Sequence, residues 1–198
     1  SGFINSLYGQ NLPLSLSASL TFEQSYDEVQ GDSASAAELL ALLSSLARIP
    51  LRQDRAITGS INQLGKIQAI GGVNEKIQGF FAACKASGLT GEQGVIIPHS
   101  NQRHLMLNEA VLKAVKDGNF HIWSVKSLDE VIPLLTGVLP GEPQPDGSYP
   151  DGSFHSAVLS RLNEYNRAIL AATKSTNKIT ETEEKTNKTE PEGNNSNA

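Results

Sequence analysis

The stretch Gly31-Asp32-Ser33-Ala34-Ser35 places a serine among small neighbours just ahead of an Ala- and Leu-rich run. Small neighbours leave a hydroxyl accessible. The unpaired N–H groups where a helix starts can stabilise a developing oxyanion. A serine so placed is a candidate nucleophile, although Gly, Asp and Ser are also ordinary helix-cap residues and the segment reads equally as a cap. Ser35 has a capping partner of its own in Glu38, three residues on. That leaves Ser33 without the structural role. A nucleophilic serine needs a base. The histidines are His99, His104, His121 and His155, and none stands in a recognisable triad motif; each reads as a surface or packing residue. Lysine is the other choice, since desolvation can bring its amine toward neutral pKa. Lys76 borders the apolar stripe Ile77, Phe80, Phe81 and Cys84 on a predicted helix. It can serve as a base or lie as a lysine with its stem along the core edge. Lys85 on the same helix reads as a solvent lysine.

The elements that must position these residues follow from periodicity and punctuation. Phe3, Ile4, Leu7 and Tyr8 read as the last turns of an amphipathic helix closed by Pro13. Residues 14–22 alternate Leu, Ala and Phe with Ser and Thr, the pattern of a half-buried strand. A helix is predicted over 35–47. Strands are predicted over 56–60 and 66–70 around a turn at 62–65. The doublet Gly71-Gly72 then breaks the chain ahead of a helix over 74–86. A buried strand at 95–97, a helix over 105–116, a strand over 120–125 and a helix over 127–135 with Ser127 and Glu130 as a capping box complete the series. Such alternation implies a layered α/β domain, here residues 1–138. Residues 139–153 are rich in Pro and Gly and read as a linker. Phe154, Val158, Leu162, Tyr165 and Ile169 give an amphipathic helix over 154–173, packed on the domain, on a neighbouring subunit or on a partner. The polar segment 174–198 reads as a disordered tail.

Composition narrows the function classes. Of 198 residues, 38% are hydrophobic and 19% charged, both below globular averages. The deficit is concentrated in the linker and tail. No apolar run is long enough to span a bilayer as a helix, and no signal peptide is visible at the N-terminus. A single cysteine, Cys84, excludes an internal disulfide and a cysteine-based zinc site. A net charge of −5 argues against nucleic acid as the main partner. The one methionine is Met106, so the sequence reads as a segment of something longer.

Taken together, Gly31-Asp32-Ser33-Ala34-Ser35, Ile57-Thr58-Gly59-Ser60, Gly71-Gly72-Val73-Asn74-Glu75-Lys76 and Val95-Ile96-Ile97-Pro98 resemble the proteolytic domain of Lon proteases, over about residues 14–136. The form around the serine is closer to the B-type branch, and Phe22-Glu23-Gln24-Ser25-Tyr26 resembles bacterial Lon-like homologues. The resemblance implies the Lon proteolytic-domain fold and a Ser–Lys endopeptidase acting on unfolded or damaged protein. In that scheme Ser33 is the nucleophile, Lys76 the general base and Thr58 a hydroxyl that orients the lysine. Asp32 or Glu28 would tune the site, and Gln30 stands where the family usually carries an acid. No Gly-x-x-x-x-Gly-Lys-Ser/Thr loop occurs in the sequence, so no cofactor is expected in this segment. ATP and magnesium are expected for an ATPase region preceding it. The resemblance further implies a homo-hexameric ring, a cytoplasmic location and no membrane partner. The alternative is a catalytically silent ring-forming scaffold or partner-binding module of the same fold.

Overall fold

The computed structural model describes residues 2–9 and 31–187, with side chains described up to Thr173. The predicted strand over 14–22, and with it Glu28 and Gln30, lies outside the described residues. Helix α1 (Gly2–Tyr8) is followed by α2 (Ser35–Ala47), β1 (Arg55–Ile57), β2 (Ser60–Ile61), β3 (Ile67–Gln68), α3 (Val73–Ser87) and β4 (Gly94–Pro98). A 3₁₀ turn over His99–His104 then leads to α4 (Glu109–Lys116), β5 (His121–Val125), α5 (Leu128–Thr136) and α6 (Phe154–Asn187).

β4 organises the molecule. Its five residues, Gly-Val-Ile-Ile-Pro, are all buried, as expected of the central strand of a parallel sheet covered on both faces. It lies between β1 and β5 and runs parallel to both, with Ile96 opposite Ile57 and Trp123. Side-chain alternation sends Ile96 to one face and Val95 and Ile97 to the other. On the first face, Ile96 joins Leu40 and Leu43 of α2, Val131 and Ile132 of α5, and Phe154 and Val158 of α6 in one core. On the second, Val95 and Ile97 meet Ile77 and Phe81 of α3, Val111 of α4 and Phe120. Each such aliphatic or aromatic burial is worth about 1.5–3 kcal/mol against exposure. The layered α/β expectation is met. Gly94 explains the tight β4–β5 contact: a Cβ there would lie 2.3 Å from the His121 carbonyl oxygen.

Several sequence expectations change in detail. The strand predicted over 56–60 is divided. Arg55–Ile57 pairs with β4, while Ser60–Ile61 turns away to form a small antiparallel ladder with β3. The division falls at Thr58-Gly59, whose backbone bonds reach Ile96 and Ser33 instead of continuing one ladder. The helix predicted from 105 begins only at Glu109, because Asn108 caps it by accepting the Val111 N–H. Ser127 precedes α5 without a side-chain capping bond, and Glu130 Oε2 reaches back to the Lys126 N–H.

The segment 139–153 is not an open linker. Tyr149 is buried, its ring facing Tyr8 and His155. The backbone closes a turn from Gln144 N–H to the Ser148 carbonyl, and Phe154 N–H bonds to the Leu139 carbonyl. The segment is therefore a strap, its two ends joined by the Leu139–Phe154 backbone bond and its body held down by the buried Tyr149. Beyond it α6 packs against α2 through Phe154, Val158 and Leu162, which is the first of the readings left open for this helix. It runs to Asn187, past the position 173 where the sequence reading ends it; no Pro or Gly interrupts residues 154–187. At the base of α6, His155 is buried between two partners, Tyr8 Oη at 2.5 Å from Nδ1 and Asp129 Oδ1 at 3.1 Å from Nε2. Burial drives the Tyr8 phenol upward, so it stays protonated and can donate to Nδ1. This cluster ties together three helices distant in sequence. Among the described residues no helix is long and apolar enough to cross a membrane.

Candidate active site

Ser33 sits in the turn that leads into α2, after Gly31 in the left-handed region at φ +88°. The turn is sewn to the Thr58–Ile61 segment. Gly59 N–H donates to the Ser33 carbonyl at 2.9 Å, and Ala36 N–H donates to the Gly59 carbonyl at 3.2 Å. Thr58 N–H in turn donates to the Ile96 carbonyl at 3.1 Å, which anchors the whole assembly to β4. Ser35 does not cap α2 through Glu38. It is the first helical residue, Ala34 occupies the cap without a side-chain bond, and the Ser35 hydroxyl accepts the Ile61 N–H at 3.1 Å. Ser35 thus fastens the β2 ladder to the turn that carries Ser33.

Lys76 comes from the other side of the sheet, on the first turn of α3. Val73, Ile77, Phe81 and Cys84 form the buried stripe of that helix, with Phe80 half-buried. This stripe fixes the helix's rotation, and Lys76 projects beside it toward β1. Its Nζ lies 2.8 Å from Ser33 Oγ and 3.4 Å from Thr58 Oγ1. Thr58 is buried, Ser33 half-buried and Lys76 exposed. The Thr58 hydroxyl also lies 3.4 Å from the Ser33 carbonyl, so one side chain touches both partners. Asp32 is exposed beside the pair, and its backbone carbonyl accepts the Ser35 N–H at 3.0 Å.

A cavity of about 250 Å³ opens at this point, lined by Ser33, Ala34, Ala37, Ala56, Ile57, Thr58, Lys76 and Val95. Apart from the hydroxyls and the amine its walls are aliphatic. No histidine lines it. His99 Nδ1 lies 3.0 Å from Ser124 Oγ, His104 is exposed, His121 Nε2 meets the Gly91 carbonyl at 2.7 Å, and His155 belongs to the cluster with Tyr8. Lys85 is exposed, as expected. Larger cavities lie between α1 and the strap and beside the 3₁₀ turn, and neither contains the Ser33–Lys76 contact.

A serine hydroxyl in hydrogen-bond contact with a primary amine, steadied by a second hydroxyl and facing a groove, is an arrangement suited to nucleophilic attack on a carbonyl. Sequence reasoning missed two residues that fasten the backbone around the start of α3. Asn101, in the 3₁₀ turn, is buried, and its carboxamide pairs with both backbone groups of Ile70. Asn74, on the first turn of α3, accepts the Met106 N–H at 2.8 Å and donates to the His104 carbonyl at 3.2 Å. Neither carries a local pattern to mark it, because both act across some 30 residues of chain.

Residues 28–137 match the model of the Lon protease (S16) C-terminal proteolytic domain. The chain is 56% identical over 130 residues, 66% of its own length, to a putative Lon protease homolog of Escherichia coli strain K12, of which it covers 22%. It is 52% identical over 124 residues, 63% of its length, to a putative Lon protease homolog of Haemophilus influenzae, covering 21% of that protein. To an archaeal Lon protease of Methanocaldococcus jannaschii it is 44% identical over 116 residues, 59% of its length and 15% of the relative's. The chain thus spans about a fifth or less of the length of these curated relatives.

Proposed function

Because the chain belongs to the Lon protease (S16) C-terminal proteolytic domain family, we propose that it cleaves peptide bonds with Ser33 as nucleophile and Lys76 as general base. The observation that carries this reading is the 2.8 Å contact between Lys76 Nζ and Ser33 Oγ, with Thr58 Oγ1 at 3.4 Å from the same amine. As an ammonium, Lys76 donates to Ser33 Oγ. Once neutral, its lone pair faces the hydroxyl and takes the proton as Oγ attacks the peptide carbonyl. The C–N bond then breaks, and Lys76 returns the proton to the leaving amine. Water, deprotonated by the same amine, hydrolyses the acyl-enzyme and restores Ser33. Lys76 is exposed in the free chain. A peptide laid across the cavity covers it and excludes water from the reacting atoms.

The oxyanion falls to amides of the Ser33 turn. Those of Ser35 and Ala36 already bond to the Asp32 and Gly59 carbonyls, which leaves Ser33 and Ala34 to supply the donors. The aliphatic walls formed by Ala37, Ala56, Ile57 and Val95 suit an apolar side chain next to the scissile bond. Such side chains are buried in folded proteins and available in unfolded ones, which agrees with unfolded or damaged protein as the substrate. In the whole protein an ATPase region preceding this segment would deliver that substrate with ATP and magnesium. A homo-hexameric ring in the cytoplasm would confine the sites. Asp32 would contribute a local negative charge beside the amine.

The test is cleavage of casein and of an unfolded peptide by the full-length protein with ATP, alongside Ser33→Ala and Lys76→Ala. Loss of cleavage in both variants, with assembly intact, is the expected result. Equal cleavage by all three proteins would overturn the dyad and leave the scaffold reading in its place.

A further inference from the structure

Helix α3 lacks the usual means of fixing its own start. Its N-cap is Gly72, in the left-handed region at φ +66°, with no side chain to accept an amide. Gly71 precedes it, and a Cβ at Gly71 would meet nothing within 4 Å. A Cβ at Gly72 would touch Glu75 Oε2 at 3.7 Å, but without side chains the two adjacent glycines restrict the backbone little. Lys76 is only four residues beyond Gly72, its own N–H bonded to the Gly72 carbonyl at 3.1 Å. A small rotation at the glycine pair would therefore carry the amine away from Ser33.

The buried stripe from Val73 onward sets the rotation of the helix body, and the glycine start is fastened from outside the helix. Ahead of the glycines, Asn101 Oδ1 accepts the Ile70 N–H at 3.0 Å and Nδ2 donates to the Ile70 carbonyl at 2.9 Å. The carboxamide stands in for a neighbouring strand, and the paired donor and acceptor fix its orientation. Behind them, Asn74 makes the equivalent pair of bonds to the His104 carbonyl and the Met106 N–H. Both clamps reach the same segment, residues 101–106, which continues directly from β4. Ser33 is tied to β4 too, through Gly59 and Thr58. The two halves of the site are thus measured from one strand.

We propose that Asn101 and Asn74 are positioning residues: they bolt the double-glycine start of α3 to the segment after β4 and so hold Lys76 Nζ within reach of Ser33 Oγ. The proposal rests on the Ser33–Lys76 reading above, and its test separates the two. In the full-length protein with ATP, Asn101→Asp, Asn101→Ala and Asn74→Ala are compared with Ser33→Ala, Lys76→Ala and Leu162→Ala. Leu162 lies in the other core, so its truncation shows what a stability loss that leaves both clamps in place does to the same readings. Peptide kcat and KM, the pH profile of kcat, and the rate of covalent labelling of Ser33 by a fluorophosphonate are read at equal distance below each melting temperature.

A misplacement of the amine by about 1 Å costs up to about 100-fold in rate. The asparagine variants should lose kcat and labelling on that scale, while KM stays within about twofold because neither residue lines the cavity. Asn101→Asp keeps the acceptor for the Ile70 N–H and, when protonated, regains the donor, so its deficit relative to wild type should shrink at low pH. If Asn101→Ala does not fold, Asn101→Asp and the half-exposed Asn74→Ala carry the test. Wild-type kcat and labelling in those variants, with Ser33→Ala and Lys76→Ala inactive, would overturn the positioning role. Activity in Ser33→Ala and Lys76→Ala would instead overturn the dyad beneath it.

Discussion

Replacing Thr58 by valine should separate catalysis from stability at a single atom. The hydroxyl makes two contacts, each 3.4 Å long, to Lys76 Nζ and to the Ser33 carbonyl. Valine keeps the shape of a buried side chain. The Ser33 carbonyl retains the Gly59 N–H at 2.9 Å, and exposed Lys76 exchanges the lost contact for water. No buried group is left without a partner, so folding stability should change by less than about 1 kcal/mol. The reaction loses more. Among the described residues Thr58 is the side chain besides Ser33 that bonds the amine. A hydrogen bond of this length to such a group is worth about 1–1.5 kcal/mol, or roughly five- to tenfold in kcat. Peptide cleavage by the full-length protein, paired with urea denaturation, reads both quantities. Thr58→Ser restores the hydroxyl and should return kcat to within about twofold of wild type. Wild-type kcat in Thr58→Val, or a kcat loss matched by an equal loss of stability, would refute the orienting role.

Other substitutions read the frame around the site. Tyr8→Phe removes the hydroxyl facing buried His155 Nδ1 and should cost about 1–3 kcal/mol in chemical denaturation while leaving kcat unchanged; a neutral result would mean the phenol donates nothing to the imidazole. Gly94→Ala drives a Cβ to 2.3 Å from a backbone oxygen of β5, and about 3 kcal/mol or more of stability should be lost, with the dyad lost as β4 shifts; an intact melting curve would contradict the register. Burial holds the Cys84 thiol above its ordinary range, so the native chain should react far more slowly with an aromatic disulfide reagent near about pH 8 than the urea-unfolded chain does. Rapid native labelling would place Cys84 outside the core.

Local patterns alone leave Ser33 readable as a cap and Lys76 as a lysine at the core edge; the contact between them was legible from the four motifs taken together, through the family they resemble. The layered α/β order was legible directly, since periods of two and 3.6 are local. What stayed hidden depends on distant partners. Ser35 resembles a cap until the Ile61 N–H is seen on its hydroxyl. Residues 55–61 look like one strand because nothing local announces that Thr58 and Gly59 bond to the Ser33 turn. The strap at 139–153 has a linker's composition, yet one tyrosine, Tyr149, meets the rings of Tyr8 and His155 and holds it down. Asn101 is an unremarkable polar residue in sequence and a buried clamp in space.

Ser33 and Lys76 stand at the junction of two cores built on different schedules. The core under Lys76 draws on residues 73–120, a continuous stretch of chain. The core under Ser33 draws on Ile4 at one end and Leu162 at the other. During synthesis the first can close as soon as its stretch leaves the ribosome, whereas the second must wait for α6. A chain stopped before residue 154 should therefore protect the amides of α3 and β4 from exchange while failing to label at Ser33. On the Ser33–Lys76 reading, a site organised in this way would stay unassembled, and inert toward its own unfolded length, until α6 has been made.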